Sequence, residues 1–414
     1  MWNALLDRLL RHLVKRGTLT LRFPDGSRQT YGDGGEPAVD VAVHRRATVR
    51  ALILNPELAL GEAYMNGGLT IGNDDLRGLL TLLLRNRSER GLLWWQRPLQ
   101  WLRKALRRLG QFNPVGRARR NVAHHYDLSG ELYELFLDRD RQYSCAYFRR
   151  PDDTLEQAQE NKKHHIARKL LIRPGMRVLD IGCGWGGMAL TLARDYGAHV
   201  VGVTLSEEQH AVATRRAEEA GLADRVEFRL MDYREVSESF DRIVSVGMFE
   251  HVGVPHYREY FRQVRDRLKP DGIALIHTIG RTDGPGTTNP FILKYIFPGG
   301  YVPAMSEAMA AIERERLTAT DVEIWRLHYA ETLRNWLARF EANIERARAI
   351  YDERFCRMWR FYLLGSELAF RLDGQVVFQF QLARDQEAVP LTRDYLYRDA
   401  AAPTVEERLH HAAE

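Results

Sequence analysis

The chain has 414 residues, of which 45% are hydrophobic and 28% charged, and its formal net charge at pH 7 is +5. This composition is typical of a soluble globular protein, and the length predicts two domains. No apolar run approaches the about 18–20 residues of a membrane span, and basic residues interrupt the N-terminal stretch where a signal peptide would lie. Three widely separated cysteines (Cys145, Cys183 and Cys356) argue against a disulfide framework and for a reducing cytoplasm. The positive charge allows an anionic partner, either nucleic acid or a phospholipid surface.

Residues 1–90 predict a small α+β domain. Apolar residues at helical spacing predict an amphipathic helix over residues 1–16. Alternating residues on both sides of Pro24-Asp25-Gly26 predict a hairpin, and residues 39–43 a further strand. Helical patterns follow at 56–66 and 74–86.

Residues 91–120 differ in composition from the rest of the chain. They contain no Asp or Glu, and their basic residues are interleaved with Trp94, Trp95 and Trp101. One interpretation is a linker whose basic amphipathic helix lies on anionic lipid, with tryptophan at the level of the headgroups. The other is a solvated basic helix whose tryptophans pack on a neighbouring domain.

From residue 170 onward, strand and helix patterns alternate, which predicts a doubly wound, mainly parallel sheet. The predicted helices are 188–196, 206–220, 256–268 and a long helical region at 331–371. The predicted strands are 176–181, 198–203, 225–230, 241–246, 272–279, 321–327 and 375–383. Seven strands, of which the last two enter late, are typical of a methyltransferase sheet.

The segment VLDIGCGWGG (178–187) predicts a strand, a glycine turn and the start of a helix, an arrangement that brings backbone N–H groups close to a ligand. Gly182, Gly184 and Gly187 fit the dinucleotide pattern G-x-G-x-x-G. Gly182, Gly184 and Gly186 fit the G-x-G-x-G of S-adenosylmethionine (SAM) methyltransferases, in which an acid such as Asp180 stands two residues earlier. The turn alone fits both cofactors.

The next two strand ends favour SAM. A dinucleotide site places an acid about 20 residues after the glycines, whereas this chain has Thr204 and Ser206 there. Asp232 and Tyr233, after the third strand, offer an acceptor and a flat apolar face for an adenine. Alternatively, Asp232 caps the next turn and Tyr233 is core. Ser206 and Gln209 predict a capping box at the start of the second helix.

Eight motifs in order give the chain a specific resemblance. It resembles the cyclopropane-fatty-acyl-phospholipid synthases and the related mycolic acid cyclopropane synthases. The motifs are HHYDLSGELYELFLD (124–138), YSCAYF (143–148), TLEQAQENK (154–162), VLDIGCGWGG, VVGVTLSEEQ (200–209), GMFEHVG (247–253), HTIG (277–280) and KYIFPGGYVP (294–303). The resemblance implies a class I SAM-dependent methyltransferase domain with a Rossmann-like seven-stranded sheet over residues 121–400. The N-terminal domain (1–90) and the linker (91–120) precede it.

The resemblance also implies the site residues. Those expected to contact SAM are Tyr143, Ser144, Asp180, Gly182, Gly184, Gly186, Thr204, Leu205, Gln209, Asp232, Tyr233 and Arg234. A bicarbonate ion beside the reacting carbons is expected to be held by Cys145, Glu250, His277, the backbone of Ile279, and Tyr329. Some family members carry a late cysteine where this chain has Ser366, and Cys356 does not match that position.

The implied reaction transfers the methyl (methylene) carbon of SAM to the cis double bond of an unsaturated acyl chain in a membrane phospholipid and closes a cyclopropane ring. Bicarbonate is the expected base. An alternative ending gives a methylene- or methyl-branched chain. Two competing hypotheses remain. The G-x-G-x-x-G pattern of the glycine turn suggests an NAD-linked oxidoreductase, and the basic segment suggests a methyltransferase that binds nucleic acid.

The expected partner is the phospholipid bilayer surface on the inner face of the membrane, with the protein cytoplasmic and peripherally attached. A homodimer is plausible by resemblance, and no nucleic-acid partner is expected. No metal is expected either, because the adjacent pairs His124-His125 and His164-His165 point to different helix faces.

Overall fold

The computed structural model of the chain describes residues 1–90, 111 and 130–397. The strands are β1 (Thr18–Arg22), β2 (Arg28–Gly32), β3 (Ala38–Val43), β4 (Leu69–Ile71), β5 (Arg177–Ile181), β6 (His199–Thr204), β7 (Val226–Leu230), β8 (Phe240–Val246), β9 (Leu268–Arg281), β10 (Thr318–Trp325) and β11 (Gln375–Ala383). The helices are α1 (Trp2–Leu13), α2 (Arg46–Leu54), α3 (Pro56–Met65), α4 (Leu76–Arg90), α5 (Gly130–Glu134), α6 (Leu155–Lys169), α7 (Gly187–Tyr196), α8 (Glu207–Glu219), α9 (Tyr257–Arg267), α10 (Pro290–Tyr295), α11 (Met305–Arg314), α12 (His328–Ala342), α13 (Ile344–Ile350) and α14 (Glu353–Leu372).

Residues 1–90 form a four-stranded sheet in the order β2-β1-β3-β4, packed with helices. β1 pairs antiparallel with β2 and parallel with β3, so the predicted hairpin is confirmed. The predicted amphipathic helix is also confirmed as α1, which buries Leu6, Leu9 and Leu10. The periodicity does not predict α2, because this helix has only 9 residues, fewer than the about 11 over which apolar periodicity is read.

The second sheet has seven strands in the order β10-β11-β9-β8-β5-β6-β7. Strands β5 to β9 run parallel, while β11 is antiparallel to both β9 and β10. The fold predicted from the alternating pattern is therefore confirmed, including the late entry of the last two strands. The carboxyl ends of β5, β6 and β8 lie side by side, which is where open α/β sheets bind ligands.

The two sheets are joined through α14, one of three helices formed by the predicted helical region. A single apolar cluster runs from Leu6 of α1 to Trp336 of α12 and Leu363 of α14. Arg77 of α4 donates to both carboxylate oxygens of Glu367, at 3.1 and 2.7 Å, and only 1% of the Glu367 side chain is exposed. The domain boundaries at 90, 120 and 400 stay a prediction, because residues 91–110, 112–129 and 398–414 lie outside the described part.

Helix α6 packs a polar face against the outer strands of the large sheet. Its N-terminus is fixed by a capping box of Thr154 and Gln157. At its other end, Lys169 is fully buried, with Nζ 3.1 Å from Asp321 and 2.6 Å from Glu323 of β10. A buried cation between two carboxylates is stable only while all partners stay in place.

We expect Lys169→Met to lower the free energy of unfolding by about 3 kcal/mol or more, because it leaves Asp321 and Glu323 without their buried cation. Urea unfolding followed by circular dichroism would measure the change. The matched control is Lys269→Met, which removes a 2.7 Å pair with Asp241 whose lysine side chain is 42% exposed. Exposed pairs contribute at most about 1 kcal/mol, so equal losses in the two variants would contradict the prediction.

None of the helices in the described ranges is long and apolar enough to cross a membrane.

Candidate functional site

The turn after β5 takes a backbone conformation that favours glycine. Gly182, Gly184 and Gly186 have φ angles of +81°, +56° and +86°. A Cβ on Gly186, at the N-terminus of α7, would lie 2.6 Å from the Phe228 ring, whereas a Cβ on Gly184 would meet no atom within 4 Å. Gly186 is thus required for packing, and Gly184 borders open space.

Two adjoining cavities open at this turn and share Gly182, Gly184, Gln209 and Gly247. The larger has about 940 Å³ of empty volume, which includes space open to solvent. Residues predicted to contact SAM line it: Gly182, Gly184, Thr204, Leu205, Gln209, Asp232, Tyr233 and Arg234. The smaller adds Tyr143, Ser144 and Asp180. Gly186 is not among the described lining residues, but the structure otherwise brings the predicted cofactor residues together.

Asp180 is a buried carboxyl at the edge of the smaller cavity. Its Oδ2 atom is buried and has no hydrogen-bond partner among the described residues. Burial raises the pKa of Asp180 to about 7, and the nearby charge of Lys162 only partly opposes this. A cationic ligand in the cavity would favour the ionised form.

We expect the affinity for SAM to rise with pH between about 6 and 8, because Asp180 must lose its proton to attract a cation. Asp180→Asn should bind SAM weakly, with a flatter pH profile. Isothermal titration calorimetry across this range measures both effects. Lys162, whose burial lowers its pKa to about 8, titrates toward the upper end of the window. Glu250→Gln is the control, since Glu250 has a similarly raised pKa of about 7 but does not line the cavities. If SAM affinity no longer depends on pH in Glu250→Gln, the pH dependence belongs to Glu250 and not to Asp180.

The end of β6 is organised around Gln209. Ser206 caps α8 by accepting from the backbone N–H of Gln209 at 3.3 Å, as predicted. The Gln209 side chain does not complete a capping box: its Oε1 accepts from the Thr204 hydroxyl at 3.0 Å. The capping-box prediction is wrong because Gln209 Oε1 accepts from the hydroxyl of Thr204 instead of from the Ser206 N–H. This hydrogen bond fixes the Gln209 amide beside the cavity.

At the end of β7, Asp232 caps the short turn Tyr233–Glu235. Both of its carboxylate oxygens accept from the Arg234 guanidinium, at 2.8 Å each. Tyr233 is mostly buried, edge-on to Tyr260. The alternative prediction, that Asp232 caps the next turn and Tyr233 belongs to the core, is therefore observed. Because all three residues also line the larger cavity, the adenine role stays a prediction.

The segment that carries Tyr143 and Ser144 is held from below by α6. Lys162, fully buried, donates from Nζ to Gln142 Oε1 at 2.5 Å and to Ser144 Oγ at 2.9 Å. Gln159 donates to the backbone carbonyl of Ser144 at 2.9 Å. Sequence reasoning missed both residues, although a glutamine and a lysine three positions apart on one helix face were a usable signal.

Glu250 lies in the short turn Phe249–His251, directly after the cavity residues Gly247 and Met248. Its Oε1 accepts from the backbone N–H of Ile279 at 2.6 Å. Its Oε2 is buried without a partner among the described residues. Burial raises the pKa of Glu250 to about 7. The structure therefore joins two predicted catalytic residues and leaves one carboxyl oxygen available.

His277 lies on β9 beside this pair, and its backbone carbonyl accepts from Gly247 N at 2.9 Å. Its ring nitrogen Nδ1 is 3.0 Å from Nε2 of Gln379 on β11. Burial lowers the pKa of His277 well below its usual value, with Lys162 and Lys169 acting in the same direction, so the ring is neutral. A role for Gln379 at the site was not predicted from the sequence. A glutamine within an otherwise apolar strand could have indicated one.

Cys145 and Tyr329 complete the predicted catalytic set. Cys145 is fully buried, which raises the pKa of its thiol, and its Sγ lies 3.3 Å from the Ala146 carbonyl. Tyr329 packs edge-on to Trp336, which stacks on Tyr143 at 5.1 Å. None of the five predicted catalytic residues is among the described lining residues of the cavities, although Cys145 and Glu250 directly adjoin the lining residues Ser144 and His251 in the chain.

One described group of three side chains has ligand atoms close enough to hold a metal: Glu160, His164 and Asp195. The Lys163 ammonium lies 2.7 Å from Glu160, and Arg194 pairs with both acids. These cations already compensate the carboxylates, so the group is explained as a surface ion-pair network.

Comparison with known proteins gives matches along most of the chain. Residues 115–380 match a family model described as mycolic acid cyclopropane synthetase, and residues 5–89 match one described as a domain of unknown function. A cyclopropane-fatty-acyl-phospholipid synthase of Escherichia coli (strain K12) is 39% identical over 361 residues, covering 87% of this chain and 92% of that protein. A probable fatty acid methyltransferase of Pseudomonas putida is 41% identical over 289 residues, covering 67% and 73%.

Among solved structures, mycolic acid cyclopropane synthase CmaA1 complexed with SAH and CTAB matches with a TM-score of 0.62 and 34% identity. The match covers 66% of this chain and 99% of that chain. The predicted class I SAM methyltransferase fold is thereby confirmed.

Proposed function

Because the chain belongs to the mycolic acid cyclopropane synthetase family, we propose that it converts cis-unsaturated acyl chains of membrane phospholipids to cyclopropane chains, using SAM and bound bicarbonate. The relative from E. coli, matched along 92% of its length, is a cyclopropane-fatty-acyl-phospholipid synthase and supports this substrate class. The observation that carries the proposal is Glu250, a buried carboxyl with one free oxygen next to the glycine-lined cavities.

The residues at the cavities fit SAM. The partnerless Oδ2 of Asp180 can accept from a cationic amine, and the open space at Gly184 accommodates a ligand against the backbone. When bound, SAM supplies an electrophilic methyl group on a positively charged sulfur. Asp180 and the fixed amide of Gln209 would then orient the cofactor, with Tyr143 and Ser144 closing the smaller cavity.

An alkene is a poor nucleophile, and methyl transfer to it leaves a positive charge on the acyl chain. The site must exclude water, stabilise that charge and remove one proton from the added carbon. The aromatic rings of Tyr143, Trp336, Tyr329 and Phe370 pack together next to the site, and their faces attract cations. This cluster supports the second requirement.

The residues around Glu250 fit a small anion that carries its own proton. When bound, bicarbonate supplies the base. The free Oε2 of Glu250 can accept the ion's O–H, while His277 and Tyr329 can donate to its oxygens. Cys145 would be a weak thiol donor, because its raised pKa keeps it protonated. The backbone of Ile279 holds Glu250 in place.

The proposal also includes peripheral attachment to the inner face of the membrane, with the basic segment 91–120 on the headgroups. Apart from Gln111, this segment lies outside the described residues. The proposal also includes a homodimer, and it includes no nucleic-acid partner.

The test is to incubate the protein with methyl-labelled SAM and vesicles of cis-unsaturated phospholipid. We expect label in the ester-linked acyl chains, with cyclopropyl signals in their proton NMR spectrum, and none with saturated phospholipid. Removing bicarbonate from the buffer should slow the reaction, and adding it back should restore the rate. Absence of label transfer would reject unsaturated phospholipid as the substrate. A branched alkene in the product would establish the alternative ending. A rate that does not depend on bicarbonate would reject bicarbonate as the base.

A further inference from the structure

His277 is the first member of a polar row that crosses three neighbouring strands. In the strand register it lies opposite Gln379 of β11, and Gln379 lies opposite Glu323 of β10. Side chains directly opposite one another in neighbouring strands point to the same face of a sheet. This row is buried, since His277 is 2% exposed and Gln379 is fully buried. Buried polar residues at these positions need a reason, because apolar residues would pack there at no electrostatic cost.

The contact between Gln379 and His277 has a defined chemical direction. Nε2 of the Gln379 amide lies 3.0 Å from Nδ1 of His277. The amide turns its NH₂ toward Nδ1, while its Oε1 is buried without a hydrogen-bond partner among the described residues. An amide NH₂ donates, so in this arrangement Nδ1 is the acceptor and carries no proton. In a neutral imidazole the single proton then resides on the other nitrogen, Nε2. The neighbour on β11 thus determines which nitrogen of His277 is an N–H donor.

The groups below the row keep the ring from accepting a second proton. Lys162 and Lys169 of α6 are fully buried and lie on this side of the sheet. His165 of α6 is engaged by Glu323 at 2.7 Å, and Glu323 also contacts Lys169 at 2.6 Å. Trp325 packs edge-on to His277 with ring centroids 5.1 Å apart. The one carboxylate of the row is therefore engaged by Lys169 and His165, and Gln379 remains the partner of Nδ1.

We propose that Gln379 is a positioning residue that holds His277 in the Nε2–H tautomer, so that the ring presents a hydrogen-bond donor to the anion in the site. This inference rests on the proposed function, since it assigns the way His277 would hold bicarbonate. A ring protonated on Nδ1 would instead present a lone pair from Nε2, which repels an anion's oxygens. Gln379 acts through His277 and touches neither substrate nor cofactor in this role.

The test reads the tautomer directly. Protein labelled with ¹⁵N-histidine is studied by long-range ¹H–¹⁵N NMR without SAM or bicarbonate, and His277→Asn identifies the signal. We expect the Nε2–H pattern in the unmodified protein. Gln379→Glu, which introduces an acceptor of the same shape, should move a proton to Nδ1. Gln379→Leu should abolish the preference and lower kcat about 10- to 100-fold with little change in the KM for SAM, as when outer partners of ligand histidines are removed.

The matched control is Gln381→Leu. Gln381 is equally buried on the same strand and face, but its amide donates to the Lys169 carbonyl and the Tyr395 hydroxyl. It should leave the His277 tautomer unchanged. An Nδ1–H pattern in the unmodified protein, or an unchanged pattern in Gln379→Glu, would overturn the inference. If the tautomer shifts as expected while the rate remains independent of bicarbonate, the proposed base fails and the positioning role of Gln379 stands.

Discussion

Glu250→Gln should abolish cyclopropane formation while SAM still binds. We expect kcat to fall about 10²- to 10⁴-fold, the range associated with a positioned acid–base group, and the dissociation constant for SAM to change by less than about twofold. The physical reason lies in the two carboxyl oxygens: one accepts from Ile279 N, and the other is buried and free. A glutamine keeps one acceptor only, so its NH₂ must face either the Ile279 N–H or the ion's O–H, and it can accept from neither. Label transfer to vesicles measures the rate, and calorimetry measures SAM binding.

A matched control for Glu250→Gln is Glu315→Gln. Glu315 is also a buried carboxylate, but both of its oxygens are paired, with Arg258 at 2.7 Å and Arg265 at 3.4 Å, whereas Oε2 of Glu250 has no partner among the described residues. Its substitution should reduce stability and leave kcat near that of the unmodified protein. If the two variants lose activity equally, burial of a carboxylate rather than its position explains the effect, and the role of Glu250 is wrong.

Gly184→Val should weaken SAM binding by about 100-fold or more, equivalent to about 3 kcal/mol. A Cβ at Gly184 meets no protein atom within 4 Å, and Gly184 lines both cavities, so the added side chain would occupy ligand space. The positive φ of +56° adds backbone strain. Calorimetric titration with SAM measures the affinity, and thermal unfolding measures the strain.

Gly175→Val separates these two effects. Gly175, in the turn before β5, also has a positive φ (+78°) and also has nothing within 4 Å of a Cβ, but it does not line either cavity. Both valines should lower the thermal unfolding temperature by similar amounts. Only Gly184→Val should lose SAM; comparable loss in Gly175→Val would show that strain, and not the filled cavity, weakens binding.

Local patterns in the sequence predict the large sheet well. Strand β5, the glycine turn and α7 follow from one ten-residue segment, because apolar periodicity and glycine placement are properties of neighbouring residues. The observed strand β11 has the predicted bounds of residues 375–383. Helix α2 was not predicted because its 9 residues are fewer than the about 11 over which apolar periodicity is read.

Contacts between distant segments could not be predicted in the same way. Gln379 and His277 are separated by 102 positions, and only the strand order brings them together. A lysine is usually expected on the surface, whereas the fold buries Lys162, whose Nζ donates to Ser144 Oγ. The Ser206 box failed for a more local reason: Gln209 Oε1 accepts from the hydroxyl of Thr204, at the end of the strand that precedes α8, and not from the N–H at its own helix terminus. Such choices depend on competing partners in three dimensions.

The ion pair between Arg77 and the buried Glu367 limits how freely this protein can be divided into modules. Glu367 also accepts from Arg371 of its own helix at 2.9 Å, so part of its charge is balanced locally and part from residues 1–90. A version of the chain without residues 1–90 would expose an apolar face of α14 together with a carboxylate shaped for a missing partner. Recombination with another N-terminal segment would succeed only if that segment carried a cation at the place of Arg77.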